Sequence, residues 1–399
     1  MRATMKRATL WCAIVVAGCE KQDPLYCQQH PDDHANCAGA DAASSDGRRD
    51  APFDTGPLVD AQLCFGSGAY SVCLTSPPST PVTLNTGATV DTSASGTLCL
   101  ATQPTNWIAA GQAPACFVVG TTVTVPNVTV SGNRPLVLLA SDTLNLTGTL
   151  DVASHVVNAT SGPAAPSAGC AAFPAAPTAS NGYGGGGAGA SFTTTAGDGG
   201  TSNNTGGQGG TPAPGDTTAP VMLRAGCTGQ PGADGQGAGG AGGHGGGAAY
   251  LVAGTSINLA ATAVINASGA GGSAAGQKAG GGGGGSGGMI VLRAPTIAVM
   301  AGAKLVANGG GGSTGANNGG GIAGSDPAAA TPLVSAPTVT GPGGAGAGGA
   351  GYSITSTAQA GGNGGSNLGG GGGGGAAGYI VSSVALTGSV VSPAVVVIP

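Results

Sequence analysis

The sequence predicts an all-β protein: a parallel β-solenoid with glycine-rich loops, preceded by a disordered stalk. Glycine supplies 83 of the 399 residues, about three times its usual share. Short runs rich in Val, Ile and Thr separate the glycine tracts, and such runs are strand signals. Two of these runs, which begin at Leu251 and Ile290, align so that Ile257 matches Ile297. A repeat of this kind favours stacked units that bury a common face.

The first 18 residues predict an export signal. Arg2, Lys6 and Arg7 precede an apolar stretch over 8–16. This stretch is shorter than the roughly 20 residues that a membrane span needs. Positive charge followed by a short apolar run is the layout of a signal peptide, so residues 1–18 are excluded from the fold.

The end of that signal, Val16-Ala17-Gly18-Cys19, resembles the processing site of bacterial lipoprotein signal peptides. The resemblance implies cleavage before Cys19, a diacylglycerol on its thiol and an acyl chain on its amine. Several chains make a durable anchor, since each buried CH₂ contributes about 0.8 kcal/mol. Glu20 differs from the Asp that commonly retains lipoproteins at the inner membrane. The expected location is therefore the outer membrane, lipid-anchored and exposed on the cell surface, and the alternative is an ordinary secretory signal.

Residues 19–60 predict a flexible, lipid-anchored stalk, because they are small, polar, acidic and interrupted by Pro and Gly. One cluster in the stalk has two interpretations. Cys27, His30, His34 and Cys37 have spacings that could hold zinc. A disulfide between Cys27 and Cys37 is the preferred interpretation, because thiols in an oxidising compartment tend to pair.

The remaining cysteines also predict disulfides. Once Cys12 and Cys19 are set aside, eight of the ten cysteines remain, and an even number is typical of an exported, disulfide-bonded chain. Eight cysteines allow about a hundred pairings, so sequence alone does not fix the connectivity. Joining nearest neighbours gives Cys27–Cys37, Cys64–Cys73, Cys99–Cys116 and Cys170–Cys227.

The body divides into a disulfide-containing β region, 61–132, and glycine-rich solenoid repeats, 133–399. In each repeat, Val, Ile and Leu are expected to point inwards, while Thr and Asn point outwards or form ladders between rungs. The glycine tracts would lie at one corner of each rung. They are either loops or close-packed extended backbone, which the absence of a Cβ permits.

Four segments carry a family resemblance: RPLVLLA (134–140), GTLDV (148–152), LRAGC (223–227) and GGMIVLRAPTI (287–297). With them, residues 115–312 resemble glycine-rich lipoproteins of predatory and social soil bacteria. The resemblance implies a surface location and no settled activity. The glycine tracts are also similar to mycobacterial PGRS repeats, although the leading PE domain of those proteins is absent.

The chemistry of the body predicts no enzyme and no cofactor. Charged residues are 7% of the chain, and catalysis needs titratable groups gathered in a pocket. Asp142 and Asp151 are close enough in sequence to form a carboxylate pair, but solvated strand-edge residues are the preferred interpretation. His155 is expected in a turn. The net charge is −5 without a basic patch, which argues against nucleic-acid binding.

The predicted function is that of a structural or adhesive surface protein, whose partner is an extracellular glycan or a neighbouring cell. A carbohydrate-active or carbohydrate-binding β-helix protein is the first alternative. A module that binds a small ligand or ice through flat Thr and Asn rows is the second.

Overall fold

The computed structural model describes residues 63–93, 98–167 and 169–398. No helix in these ranges is long and apolar enough to cross a bilayer. Several predictions lie outside the described residues: the signal peptide, the stalk, the lipid site Cys19, the Cys27–Cys37 pair and the zinc alternative that includes His30 and His34.

The fold is nearly all β with parallel sheets, which confirms the coarse prediction. One short α-helix, α1 (Thr105–Ala109), and two 3₁₀ turns, Gly68–Tyr70 and Pro342–Gly344, accompany the strands. The strands are β1 (Leu63–Phe65), β2 (Val72–Leu74), β3 (Val82–Thr83), β4 (Ala88–Asp91), β5 (Cys116–Val125), β6 (Val128–Ser131), β7 (Leu136–Leu146), β8 (Thr149–Asp151), β9 (Ala179–Ser180), β10 (Tyr183–Gly184), β11 (Ala248–Ala253), β12 (Ser256–Leu259), β13 (Val264–Asn266), β14 (Met289–Arg293), β15 (Thr296–Val299), β16 (Lys304–Val306), β17 (Tyr379–Ser382), β18 (Val390–Ser392) and β19 (Val395–Val397).

Two parallel sheets organise the body. A nine-stranded sheet contains β3, β5, β7, β11, β12, β14, β15, β17 and β19, and a six-stranded sheet contains β4, β6, β8, β13, β16 and β18. Strands β5 and β6 pair with β7 and β8. Both sheets therefore continue across residue 132, where the sequence analysis placed a boundary.

The strand register is the one that the internal repeat predicts. Ile257 pairs with Ile297 on one side and with Leu144 on the other. The expected ladder is also present, because the side-chain amide of Asn258 donates to Asn145 Oδ1 at 2.9 Å. A parallel ladder stacks like residues, so an amide on one strand finds an amide on the next.

The central strands of the nine-stranded sheet are buried on both faces, as in β11, β14 and β17. In β7, Leu136 and Leu138 pack into a cluster of Val, Ile and Leu shared with the six-stranded sheet. Val137 and Leu139 point to the opposite face, where aromatic residues including Trp107 pack. Burial on both faces explains the unbroken apolar run at the start of β7, since a sheet with one solvated face would alternate.

The glycine tracts form a bundle of extended segments, which is the second of the two arrangements that the sequence analysis left open. We call it the glycine bundle: segments 187–190, 227–233, 240–246, 267–270, 280–288, 310–313 and 370–376. Its central segment, 280–288, donates backbone N–H groups to three neighbours and accepts from three others. Successive N–H groups point to different neighbours and return to the same one after three residues. This threefold repeat is that of a polyproline II helix, with neighbouring backbone in place of water.

Close packing explains why these segments consist of glycine. A Cβ at Gly283 would lie closer than 3.0 Å to the carbonyl of Ala188, and one at Gly284 would meet Gly310. A Cβ at Gly285 would meet His244 in the same way. These three consecutive glycines face three different neighbouring segments. The central segment therefore has no side with room for a Cβ. Extended glycine backbone is ordered here because its N–H groups reach neighbouring carbonyls directly, except Gly282 N–H, which donates to Ser313 Oγ at 2.7 Å.

Three disulfides join parts of the described chain. Cys64–Cys73 links β1 to β2, with a sequence separation of 9 residues. Cys99–Cys116 spans 17 residues and ends in β5. Cys170–Cys227 spans 57 residues and ends in the glycine bundle. These are the nearest-neighbour pairs given above.

Candidate functional site

A cavity of about 570 Å³ lies beside the end of β6 and the segment that enters the glycine bundle. Two arginines, Arg134 and Arg224, line it together with apolar groups such as Pro114, Pro135 and Met222. No acidic residue is among the lining residues. We call this space the two-arginine cavity.

Arg134 lies in the turn between β6 and β7, which hydrogen bonds to Thr92 hold in place. Its backbone N–H donates to Thr92 Oγ1 at 3.3 Å, and its Nε donates to the Thr92 carbonyl. Gly132, two residues earlier, has φ +114°, and a Cβ there would collide with Thr92 Oγ1. Only glycine fits that position without strain, so the turn places Arg134 at a fixed point on the cavity wall.

Stacking and a carbonyl contact position Arg224. Its guanidinium carbon lies 4.3 Å from the ring centroid of Phe192, and Nη1 donates to the Gly169 carbonyl at 2.7 Å. Burial lowers the pKa of Arg224, while the nearby charge of Asp216 acts in the opposite direction. A guanidinium keeps its proton in proteins, so Arg224 brings a positive charge to the cavity.

This arrangement is suited to an anionic ligand with a carbon framework. A guanidinium presents a planar fork that matches a carboxylate, sulfate or phosphate. Proline and methionine offer apolar contacts for the rest of a ligand. The volume falls within the range of about 300–1,000 Å³ that is typical of small-molecule sites. Sequence analysis placed both arginines in segments that carry the family resemblance but gave them no role.

A second charged site surrounds His155. Its Nε2 lies 3.1 Å from Asp151 Oδ2, and its Nδ1 lies 3.6 Å from Asp326 Oδ2. Asp326 also accepts backbone N–H groups from Val156 and Gly271. His155 directly precedes the tight turn 156–159 and bridges to Thr160 at its other end, so it lies beside the expected turn. The sequence offers no signal for Asp326 as the partner of His155.

The two carboxylates hold a proton on His155. The hydrogen bond to Asp151, then the contact with Asp326, raise the pKa of His155 to about 10, although burial opposes the shift. Both ring nitrogens face carboxylates, which makes the cluster an ion-pair network. Among the described residues, no group of three or more His, Cys, Asp or Glu side chains is arranged to hold a metal ion.

We expect a pH-dependent contribution to stability from this cluster. The ordinary pKa of His is about 6.5, so the contribution is complete below that pH and declines as pH rises toward 10. Because the ring is partly exposed, screening limits its size to about 1–2 kcal/mol. Chemical denaturation at pH 6.5 and pH 10 should show this loss in wild type and a smaller loss in His155→Gln. Equal losses in the two proteins would contradict the assignment.

The carboxylate pair considered from sequence is not brought together as a pair. Asp142 belongs to β7 in the nine-stranded sheet, whereas Asp151 ends β8 in the six-stranded sheet. The side chain of Asp151 is engaged by His155 and by the amide of Asn266, 3.1 Å from Oδ1. Asp151 is thus part of the ion-pair network.

Comparison with protein-family models, curated proteins and solved structures finds no match for this chain.

Proposed function

We propose that the protein is a lipid-anchored structural or adhesive protein of the bacterial cell surface, without catalytic activity. The observation that carries the proposal is the central glycine segment, 280–288, which is hydrogen-bonded to neighbours on all sides. Such a body is stiff, because displacement of one segment breaks bonds to several others. A stiff body on a lipid anchor and a stalk suits a protein that bears contact forces. In this proposal the stacked parallel strands are rungs of a solenoid.

The proposed partner is an acidic glycan, and the two-arginine cavity supports this choice. Surface polysaccharides carry uronic-acid carboxylates, and a guanidinium fork binds a carboxylate with two parallel hydrogen bonds. The apolar wall that includes Met222 would face the carbon side of a sugar ring. The same cavity is concave and carries two arginines, which favours carbohydrate binding without turnover over the flat Thr and Asn rows of the ice-binding alternative.

The test measures adhesion of bacteria that express the protein to a polygalacturonate-coated surface. Wild-type cells should adhere, and protease added to intact cells should remove both the protein and the adhesion. Cys19→Ala should abolish adhesion, because the unlipidated protein leaves the surface. Arg224→Gln should lower adhesion at least severalfold while the protein stays on the cell.

Lys304→Gln is the matched control, since it removes one positive charge outside the cavity; Lys304 Nζ donates to the Ala330 carbonyl. This variant should adhere like wild type. Equal losses in Arg224→Gln and Lys304→Gln would indicate net charge alone and exclude the cavity. Protection of wild type from protease on intact cells would place the protein in the periplasm and overturn the adhesive role.

A further inference from the structure

Among the described residues, Arg293 is a buried cation without an anionic partner. It is the last residue of β14 and only 4% of its surface is exposed. Its Nη1 donates to the Ile398 carbonyl, but its Nε has no hydrogen-bond partner. The ion pairs found among the described residues all involve His155. Sequence analysis placed Arg293 in the segment 287–297 that carries the family resemblance and gave it no role.

The groups around Arg293 do not neutralise it. The hydroxyl of Tyr250 donates to the Tyr70 carbonyl at 2.8 Å, and the hydroxyl of Tyr70 donates to the Pro220 carbonyl at 2.5 Å. Burial raises the pKa of both phenols, so neither is an anion at neutral pH. A buried charge that lacks a counter-charge is strongly unfavourable. A bound ligand that supplied a negative charge would lower the free-energy cost of burying Arg293.

Arg293 lines a cavity of about 320 Å³. One wall is the disulfide-linked hairpin of β1 and β2, and the other is the ends of β11 and β14. Gly66 brings the hairpin against the sheet: its φ is +77°, and a Cβ there would collide with the Tyr250 hydroxyl. Arg293 is the single charged residue in the lining. We call this space the Arg293 cavity.

We propose that the Arg293 cavity binds a small organic acid, with the carboxylate of the acid on the guanidinium of Arg293. The site is separate from the two-arginine cavity and does not depend on the adhesive role. One cation in the lining matches one negative charge, which favours a carboxylate over a phosphate dianion. The space exceeds what a bare ion fills, since a water molecule occupies about 30 Å³. Phe65, Ala294 and Pro295 form apolar walls for a carbon skeleton.

The test uses benzoate as the ligand, with benzyl alcohol and inorganic phosphate as comparisons. Calorimetric titration of the purified protein should show saturable benzoate binding, and thermal unfolding should shift upward with benzoate concentration. Benzyl alcohol has a similar ring without the charge and should bind at least tenfold more weakly. Phosphate should also bind at least tenfold more weakly.

Variants assign the binding to this cavity. Arg293→Met should lose benzoate binding at least tenfold, and Ser67→Phe, which occludes the cavity while Arg293 itself is unchanged, should do the same. Arg224→Gln should bind benzoate like wild type. Unchanged binding in Ser67→Phe, or loss in Arg224→Gln alone, would overturn the proposal, as would an absence of benzoate binding in wild type. Ser67 lies in an exposed turn, so this variant keeps the test decisive if Arg293→Met does not fold.

Discussion

Gly284→Ala is expected to lower the free energy of unfolding by about 3–5 kcal/mol, a large effect for one methyl group. The new Cβ would collide with the carbonyl of Gly310. The backbone cannot move away without cost, because Gly284 N–H donates to Gly373 at 2.8 Å and its carbonyl accepts from Ala190 at 2.9 Å. Relief of the collision therefore breaks hydrogen bonds in two other segments. Denaturant unfolding monitored by circular dichroism measures the loss.

Gly365→Ala is the matched control within another glycine tract. A Cβ at Gly365 would meet Leu368 Cδ1 at 3.5 Å, an ordinary contact. Loss of chain entropy in the unfolded state offsets part of any cost, so the expected change is within about 1 kcal/mol. Similar losses in Gly284→Ala and Gly365→Ala would mean that the glycine bundle is not packed as described.

The sequence was sufficient to predict the strand register, and the reason is physical. Parallel strands in register bury like residues against each other, so burial imposes a repeat on the apolar positions. Ile265 and Leu305 match in the sequence alignment and pair in the structure. The Asn258–Asn145 ladder has the same origin, because the amide N–H of one side chain donates to the amide oxygen of the other.

The glycine bundle could not be predicted with the same certainty. Side-chain patterns reveal packing, and glycine has no side chain to form a pattern. The bonds also connect distant parts of the chain: Gly281 N–H donates to the carbonyl of Gly370. Sequence reasoning therefore left loops and packed backbone as equal alternatives, and only the three-dimensional arrangement distinguishes them.

The charged sites were missed for a related reason. Arg134 and Arg224 are 90 residues apart, and His155 meets Asp326 across an even longer stretch. Each residue is isolated among small apolar neighbours, so no local motif marks it. The low overall charge was the informative feature of the sequence. When only 7% of the residues are charged, two arginines in one cavity are unusual.

Removal of the Cys170–Cys227 disulfide is expected to lower the free energy of unfolding by about 4 kcal/mol, from the chain entropy of the loop it closes. The 57-residue separation is the longest among the described disulfides. Cys227 is also held in the glycine bundle, since its N–H donates to Ser286 Oγ at 2.7 Å and its carbonyl accepts the Ser286 N–H. The disulfide thus fixes a long connection to the central segment.

The double variant Cys170→Ala/Cys227→Ala should be compared with Cys64→Ala/Cys73→Ala, which opens a loop with a 9-residue separation. The shorter loop predicts a loss of about 3 kcal/mol. Denaturant midpoints of both variants should fall below wild type, and the Cys170 variant should fall further. If the order were reversed, native contacts around the β1–β2 hairpin would outweigh loop entropy. The long connection would then be held by the glycine bundle itself, with the disulfide as a secondary restraint.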